Sequence, residues 1–303
     1  MSLQLPQIKV GQPLTCNSLT VFPLYAEAGT AAEYQLADEA ISASTLAVQE
    51  VDEGGSVPDL LVENTGECRV LFLEGEELRG AKQNRILNTS ILVAAKSKLK
   101  VPVSCVEQGR WRHISRHFAS GNVRGSHNLN YALKCSVSDS LKRQAGHRSD
   151  QGAVWREVAK KQQTLGCSSP TMAMSDTFAN LSDKMGEYRE KLKYPDNAVG
   201  VAIAVGPKVV CVDLFDKPAT CRKAWDRLLS GFVLDALEMA APQTQADAQV
   251  VEKVLAESLA TTWTPAPAVG EGQEFRAEFN GSVGSALSLN ENIVHMNVLT
   301  APA

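Results

Sequence analysis

The sequence lacks the cysteine pairs that form disulfide frameworks or common zinc sites. Its seven cysteines, at positions 16, 68, 105, 135, 167, 211 and 221, are odd in number and include no CxxC pair. Such a set favours free thiols, which are typical of a reducing compartment. We therefore expect a cytoplasmic protein in which cysteine supplies no structural metal site.

Long apolar runs and an excess of basic charge are also lacking. The longest apolar stretch, residues 198–215, is interrupted by Gly206 and Pro207 and contains two charged residues, so it cannot cross a bilayer as one helix. The N-terminal residues show neither the basic nor the apolar region of a signal peptide. A net charge of -4 gives no positive field for nucleic acid or anionic lipid. We therefore expect a soluble protein with no membrane partner, and the charge balance argues against nucleic acid as the default partner, although it leaves room for a local basic patch.

The motifs of the best-known enzyme classes are missing as well. The sequence has no phosphate-binding loop, no GxGxxG fingerprint and no GxSxG elbow, so it identifies no cofactor. His113 and His117 have a spacing that could seat a metal on a helix. Because Arg112 and Arg116 interleave with them, a second cation is disfavoured, and we predict no metal site.

The hydrophobic pattern predicts strands in the first half of the chain and helices from about residue 149. Pro23 indicates that the first of these strands is an edge or contains a bulge. Ser149 and Asp150 can cap the first helix, and Asp216 can cap a long helix with Pro218 in its first turn. The predicted strands are 19–25, 45–51, 69–73, 90–94 and 101–106. The predicted helices are 149–165, one from Ser175 to about 192, one from Asp216 to about 237, and 245–260.

The remaining segments complete an α+β prediction. A hairpin around Gly206 and Pro207 is apolar on both faces, which places it centrally in a sheet. The segments 274–279, 285–289 and 293–299 are typical of a terminal β-meander. We therefore predict largely antiparallel sheets, about four helices within residues 150–260, and one domain over residues 1–303. The segment 112–148, with four of the five histidines, is predicted to be a functional loop or poorly ordered.

The densest polar stretch, residues 74–88, is the first candidate site. It lies between two predicted strands and contains two glycines, which permit unusual backbone angles. Carboxylates accept hydrogen bonds from ribose hydroxyls, amides donate and accept, and arginine binds phosphate with two nitrogens. The same composition is also typical of a solvated connector whose charges pair with one another.

The second candidate is the segment 105–111 at the end of a predicted strand. Glu107 and Arg110 are either a salt bridge or a general base with an anion clamp, and Trp111 either stacks on a ligand or packs in the core. Cys105 falls in an apolar strand, which favours a buried structural thiol over a nucleophile. Asp213 is either a strand-end acid or a site residue.

Both segments resemble a known family. The strings 73–90 (LEGEELRGAKQNRILNTS) and 101–111 (VPVSCVEQGRW) are similar to the central block of the ADP-ribosylglycohydrolase-and-rhodanese-phosphatase-associated protein family. Three further stretches agree, at 149–155, 169–174 and 210–216, and the resemblance runs from about residue 15 to the end. It implies one continuous domain and a role around ADP-ribose, NAD breakdown or modified nucleotides. It supplies no catalytic residues.

Three functional hypotheses remain open. In the first, the chain binds or processes an ADP-ribose-like or phosphosugar ligand. The acid or base would be Glu76 or Glu107, and the ligand-binding residues would be Gln83, Asn84, Arg85, Arg110 and Trp111, with the arginines on phosphate and the tryptophan on a ring. In the second, a non-catalytic module docks a protein or nucleic-acid partner through a sheet edge and the segment 112–148. In the third, Cys105 acts as a catalytic thiol.

Overall fold

The computed structural model describes residues 6–27, 32–52, 54, 58–239 and 244–302. Its strands are β1 (Ile8–Val10), β2 (Leu14–Cys16), β3 (Leu19–Ala26), β4 (Tyr34–Leu36), β5 (Leu46–Glu50), β6 (Asp59–Asn64), β7 (Arg69–Phe72), β8 (Glu76–Gly80), β9 (Arg85–Leu87), β10 (Ile91–Val93), β11 (Ser97–Cys105), β12 (Phe118–Arg124), β13 (Gly200–Val205), β14 (Lys208–Phe215), β15 (Thr264–Ala266), β16 (Gln273–Phe279), β17 (Ser282–Leu289) and β18 (Asn292–Leu299). Its helices are α1 (Ala37–Ser42), α2 (His127–Lys142), α3 (Gln151–Thr164), α4 (Met174–Asn180), α5 (Ser182–Lys191), α6 (Pro218–Leu237) and α7 (Ala248–Ala260).

The predicted class, α+β with largely antiparallel sheets, is confirmed. The described strands pair antiparallel except for β4 and β7, which are parallel. The predicted number of helices is wrong, because the described residues form seven helices, two of which precede residue 150. No helix in the described part of the chain is long and apolar enough to span a membrane.

The largest sheet has nine strands, with the order β1-β3-β13-β14-β18-β17-β16-β15 and β2 also paired to β3. The predicted central hairpin (β13 and β14) and the terminal meander (β16 to β18) are both confirmed. The edge position predicted from Pro23 is wrong, because β3 pairs on both sides. Pro23 has no N–H to donate to a neighbouring strand. It is tolerated because β1 pairs with residues 24–26 and β2 with residues 19–21, so that Pro23 lies opposite the gap between these two short strands.

Two smaller sheets contain the polar motifs and the strands that flank them. The six-stranded sheet has the order β12-β8-β9-β11-β6-β5, and the three-stranded sheet has the order β10-β7-β4. The polar stretch 74–88 therefore contains two strands, β8 and β9, rather than a solvated connector. Apart from Arg79, the residues of these strands are buried despite their charges.

The predicted N-cap of α3 is confirmed, whereas the predicted N-cap of α6 is wrong. Asp150 caps α3, where its side chain accepts from the Ala153 N–H, and Pro218 lies in the first turn of α6. The predicted cap of α6 by Asp216 is wrong, since Lys217 is the N-cap. The Asp216 carboxylate instead accepts from the Tyr34 hydroxyl. The helix predicted from Ser175 is divided into α4 and α5 at position 181.

The predicted irregular segment 112–148 is the largest error in the fold. Residues 112–117 and most of 143–148 are irregular and exposed, whereas β12 and α2 occupy most of the remainder. The helical period of α2 was hidden because polar side chains share its buried face with leucine and valine. The buried face includes Asn130, Lys134 and Ser138 as well as Leu129, Leu133 and Val137.

Candidate functional site

The pairing of β9 with β11 brings the two polar motifs together. Arg85 lies directly opposite Cys105 in the register of these strands. Beyond the paired residues, the Asn84 N–H donates to Glu107 Oε2 at 3.1 Å, and the Val106 N–H donates to the Asn84 carbonyl at 3.1 Å. We call the resulting group the motif cluster, and its members are Glu77, Gln83, Asn84, Arg85, Glu107, Arg110 and Trp111.

Glu107 and Arg110 form a buried, bidentate ion pair. Arg110 Nε donates to Glu107 Oε1 at 2.8 Å and Nη2 donates to Oε2 at 2.6 Å. Burial acts to raise the pKa of Glu107, but hydrogen bonds from Arg110, Thr171 and the Asn84 backbone outweigh it and lower the pKa. Glu107 is therefore an ionised carboxylate with its charge matched by Arg110.

Arg110 also fixes the exposed segment that follows it. Its Nη1 donates to the Ala81 carbonyl at 2.6 Å and to the Arg112 carbonyl at 3.0 Å. The Ile114 N–H donates to the same Ala81 carbonyl at 3.1 Å. We call residues 111–117 the presenting loop, because buried bonds at its base hold a run of exposed side chains in one position.

Trp111 is the exposed member of the predicted site. Its side chain is 49 % exposed, while the other six predicted site residues are buried. Lys82 Nζ lies 5.4 Å and the Arg85 guanidinium carbon 5.8 Å from the centre of its ring. These distances are within the range of cation–π attraction, so two cations help to hold the indole in place.

Arg85 is completely buried beneath this tryptophan. Its Nη1 donates to Gln83 Oε1 at 3.0 Å and lies 2.7 Å from Cys105 Sγ. Glu50 is its nearest carboxylate, at 3.6 Å from Nη2. Nε and Nη2 make no hydrogen bond among the described residues. Arg85 therefore has donor capacity left, unlike Arg110, whose three nitrogens all have acceptors.

Cys105 is a buried thiol in this arrangement. Burial raises the pKa of Cys105 to about 11, and the neighbouring Arg85 only partly opposes this effect. A thiolate is the reactive form of cysteine, and very little of it exists at neutral pH with such a pKa. This geometry argues against the catalytic-thiol hypothesis.

We expect Cys105 to resist alkylation at neutral pH in the folded protein. Cys68 is exposed and is the matched control, because the same reagent should modify it rapidly. Mass spectrometry of iodoacetamide-treated protein, with and without urea, distinguishes the two sites. Modification of Cys105 at a rate similar to that of Cys68 without urea would contradict the assignment.

The alternation of β8 separates Glu76 from the motif cluster. Glu76 pairs with Arg227 of α6, whereas Glu77 on the opposite face lies 3.5 Å from the Asn84 amide nitrogen. Of the two predicted acid–base residues, only Glu107 belongs to the cluster. Glu77 was missed because a sequence cannot show which of two adjacent carboxylates faces the second motif.

Glu77 and Glu107 have opposite shifts of pKa. Burial, with repulsion from Glu107, raises the pKa of Glu77 to about 8, so this carboxyl is protonated at neutral pH. Asn84 joins the two groups, with its backbone N–H on Glu107 and its side-chain amide near Glu77. A protonated and an ionised carboxyl close together are the arrangement that general acid–base chemistry requires.

The bulge in β12 covers Glu77. The register of β12 with β8 shifts between Ser120 and Arg124, and Gly121 lies in this interval. A side chain at Gly121 would place its Cβ 2.7 Å from Glu77 Oε2. Glycine is therefore required here, because the backbone of β12 passes directly over the carboxyl group.

A second polar group, missed from the sequence, lies between the sheets. Asp213 of β14 accepts from His295 Nε2 at 2.6 Å and is paired with Arg124, and His295 Nδ1 lies 2.7 Å from Ser90 Oγ. Burial acts to raise the pKa of Asp213, but Arg124 and His295 outweigh it and hold the pKa well below its usual range. In the sequence, the signal for this group was Asp213, a carboxylate within a largely apolar strand.

The fold and the motif cluster define an α+β protein in which buried ion pairs hold an exposed tryptophan in place. The chain belongs to the family of the ARG and Rhodanese-Phosphatase-superfamily-associated Protein domain (ARPP-1), whose model matches residues 7–299. The resemblance to this family is thus confirmed, although the family name leaves ARG as an abbreviation and does not mention ADP-ribosylglycohydrolase. No curated protein and no solved structure matches the chain.

Proposed function

We propose that the chain binds a ligand with a flat ring and an anionic group, such as ADP-ribose, another nucleotide or a phosphosugar derivative, on the Trp111 platform. The observation that carries the proposal is the exposure of this indole beside two cations, on a loop whose base is buried and hydrogen-bonded. An aromatic face held rigidly in water is suited to stacking on a base.

The charges around the platform favour an anionic ligand. The presenting loop, with the sequence WRHISRH, contains two arginines and two histidines and no acidic residue. Arg112 and Arg116 are exposed and can bind phosphate with two nitrogens each. Lys82 lies beside the indole, and its Nζ donates to the Gly54 carbonyl. The charge of the presenting loop is therefore opposite in sign to the net charge of the chain.

Processing of the ligand is a further step of this proposal, for which Glu77 and Glu107 are the acid and the base. Their opposite protonation states and their shared contact with Asn84 support these roles. Glu76 is disfavoured because Arg227 and Asp38 occupy its surroundings on the other face of β8. Gln83 and Arg110 act in the proposal as supports for the platform, since their polar groups already have partners.

A docking module for a macromolecular partner is the second candidate. Ile114, on the same loop, is 60 % exposed and has no role in stacking on a nucleotide. Trp111 and Ile114 are thus two exposed apolar side chains on a loop that also carries two arginines, a composition that protein interfaces favour. This candidate predicts that the loop binds a partner whether or not small nucleotides bind.

Calorimetric titration with ADP-ribose, AMP, NAD and ribose 5-phosphate tests the proposal. We expect Trp111→Ala to weaken binding of a nucleotide by about tenfold to a hundredfold, the loss typical of a base–aromatic stack. The melting temperature should change little, because the side chain is half exposed. Trp155→Phe is the matched control for loss of an indole elsewhere.

Two outcomes would contradict the proposal. The first is the absence of binding across this panel, both in the titration and as a shift of the melting temperature. A ligand at 100 times its dissociation constant should stabilise the fold by about 2.7 kcal/mol, so binding would be visible in the second measurement. The second is equal affinity of the wild type and Trp111→Ala. In either case, protection of the presenting loop from trypsin by a partner protein would favour the docking module.

A further inference from the structure

The two carboxyls of the proposed acid–base pair are covered in this structure. Glu77 is 1 % exposed and Glu107 is 5 % exposed. A general acid or base has to come within hydrogen-bonding distance of the reacting atoms, directly or through one water. If the pair processes a ligand, one of the elements that cover it therefore has to move.

Two of the covering elements are fixed in the interior. The bulge of β12 passes over Glu77 at Gly121, in a strand that is paired with β8. The start of α4 is buried, and Ser175 Oγ accepts from the Asn84 amide at 3.1 Å. Movement of either element would disrupt a sheet or expose part of the core. Neither is therefore suited to open by itself.

The third covering element, residues 168–172, lies at the surface, and we call it the strap. Among the described residues, two hydrogen bonds join it to the motif cluster and its neighbours. Thr171 Oγ1 donates to Glu107 Oε1, and the Gly109 N–H donates to the Thr171 carbonyl, both at 2.8 Å. Alternate residues of the strap are exposed, namely Ser168, Pro170 and Met172. Exposed segments with few buried contacts are the ones that open locally in folded proteins.

The strap has separate anchors on the side of α4. Ser169 Oγ accepts from the Ala173 N–H at 2.8 Å and donates to Asp176 at 2.6 Å. The Ser168 carbonyl accepts from Asn180 at 3.2 Å. These bonds do not involve the motif cluster, so they can persist when the bonds to the cluster break. The strap can therefore open on one side while it remains attached to the helix.

Backbone strain at Met172 favours this opening. Its φ of 53° lies in the left-handed region, which is costly for residues other than glycine, asparagine and aspartate. The closed arrangement also requires glycine at position 109, because a side chain there would place its Cβ 3.0 Å from Thr171 Cα. The closed strap thus stores strain that is released when its bonds to Glu107 and Gly109 break.

We infer that the strap is a gate over the acid–base pair: it opens while the rest of the chain stays folded, and its opening gives a bound ligand access to Glu107. The inference rests on the proposed function, in which Glu77 and Glu107 act on the ligand held at Trp111. The ring of the ligand stays on the platform, and the part that reacts reaches Glu107 when the strap lifts from Gly109.

Hydrogen exchange followed by NMR, on the full-length chain without ligand, measures the opening directly. The Gly109 amide is bonded to the strap, whereas the Val106 amide is bonded to the Asn84 carbonyl within the motif cluster. We expect the protection factor of Gly109 to be about tenfold or more below that of Val106. Equal protection would mean that the strap opens only when the whole fold unfolds, and would overturn the inference.

Two substitutions at Met172 should shift the opening in opposite directions. Asparagine adopts the left-handed conformation more readily, so Met172→Asn should slow exchange at Gly109 by about threefold or more. Met172→Val should speed it by a similar factor, because a branched side chain disfavours this conformation. The residue is exposed, so neither change disturbs the core. Exchange that is the same in both variants would contradict the role of Met172.

Removal of the Thr171 hydroxyl tests the bond to Glu107. Thr171→Val keeps the shape of the side chain and should speed exchange at Gly109 by about tenfold or more, since a hydrogen bond to a charged group is lost. Thr164→Val is the matched control, because this exposed hydroxyl bonds only within α3, to the Lys160 carbonyl. A rate in Thr171→Val equal to that of the control would exclude the bond as the closure of the gate.

Carboxyl labelling tests whether the opening exposes Glu107. A water-soluble carbodiimide couples glycinamide to accessible carboxyl groups, and mass spectrometry locates the product. Met172→Val changes no partner of Glu107, so faster labelling of Glu107 in this variant than in the wild type reports access alone. Glu274, buried beside His147 and Arg276, should react equally slowly in both proteins. Unchanged labelling of Glu107 would overturn the gate.

Titration with AMP separates a failure of the gate from a failure of the proposed function. If AMP does not bind, while exchange and labelling follow these expectations, the nucleotide site at Trp111 is wrong and the gate stands. If AMP binds, while Gly109 is as protected as Val106, the nucleotide site stands and the gate is wrong.

Discussion

The variant Arg110→Met should lose about 3–5 kcal/mol of unfolding free energy, the usual result of removing one partner of a buried ion pair. Glu107 would keep its charge without its bidentate partner, at 5 % exposure. The carbonyls of Ala81 and Arg112 would lose the same donor. Urea denaturation, followed by far-ultraviolet circular dichroism, measures this loss.

The size of the loss can be assigned to the pair by a double-mutant cycle. Glu107→Gln combined with Arg110→Met removes both charges, so the double variant should be more stable than the sum of the single changes predicts. Arg112→Met is the matched control, because this arginine is exposed and should cost less than about 0.5 kcal/mol. A loss of that small size for Arg110→Met would contradict a structural role for the pair.

Arg110→Met should also release the presenting loop. With the bond between Arg110 and the Arg112 carbonyl gone, the loop retains the hydrogen bonds at Ile114 and Ser115 but loses its first anchor. We expect trypsin to cleave at Arg112 or Arg116 faster in the variant at denaturant concentrations where both proteins are folded. Equal cleavage rates would show that the loop does not depend on Arg110.

Local patterns predicted the strand that leads into Cys105, but they predicted neither β8 nor β9 and could not show that the two motifs meet. The strand before Cys105 is apolar and therefore recognisable, whereas the residues around Arg85 are polar and gave no strand pattern, so that the pairing of β9 with β11 is seen only in the structure. The central hairpin and the terminal meander are predictable because both are built from adjacent segments joined by tight turns.

Burial of charge is what local patterns could not predict. The sequence predicts that Arg85 binds a phosphate group, yet this side chain is fully buried under Trp111. Replacing it with alanine therefore tests stability as well as binding, whereas Trp111→Ala tests binding alone. Likewise, Asp213 and His295 are 82 residues apart in the chain, and only the pairing of β14 with β18 brings them together.

The variant Glu77→Gln should be more stable than the wild type at pH 8, and this advantage should shrink towards pH 5. The folded pKa of Glu77 is raised to about 8, whereas an unfolded chain has a value of about 4.3. Between these values, the folded state holds a proton that the unfolded state has released. The stability of the wild type therefore falls as pH rises, by about 1.4 kcal/mol per unit for this one group.

Glutamine removes the titration and keeps the hydrogen-bonding shape, so the contribution of Glu77 to this slope disappears in the variant. Urea unfolding at pH 5, 6, 7 and 8 should show curves that diverge by a few kcal/mol at the alkaline end. Glu107→Gln is the contrasting control: its folded pKa is lowered, so its stabilisation is present above the unfolded pKa and is lost as pH falls. Parallel curves for the wild type and Glu77→Gln would mean that Glu77 is ionised in the folded protein, and the acid–base pairing of the two carboxyls would then be wrong.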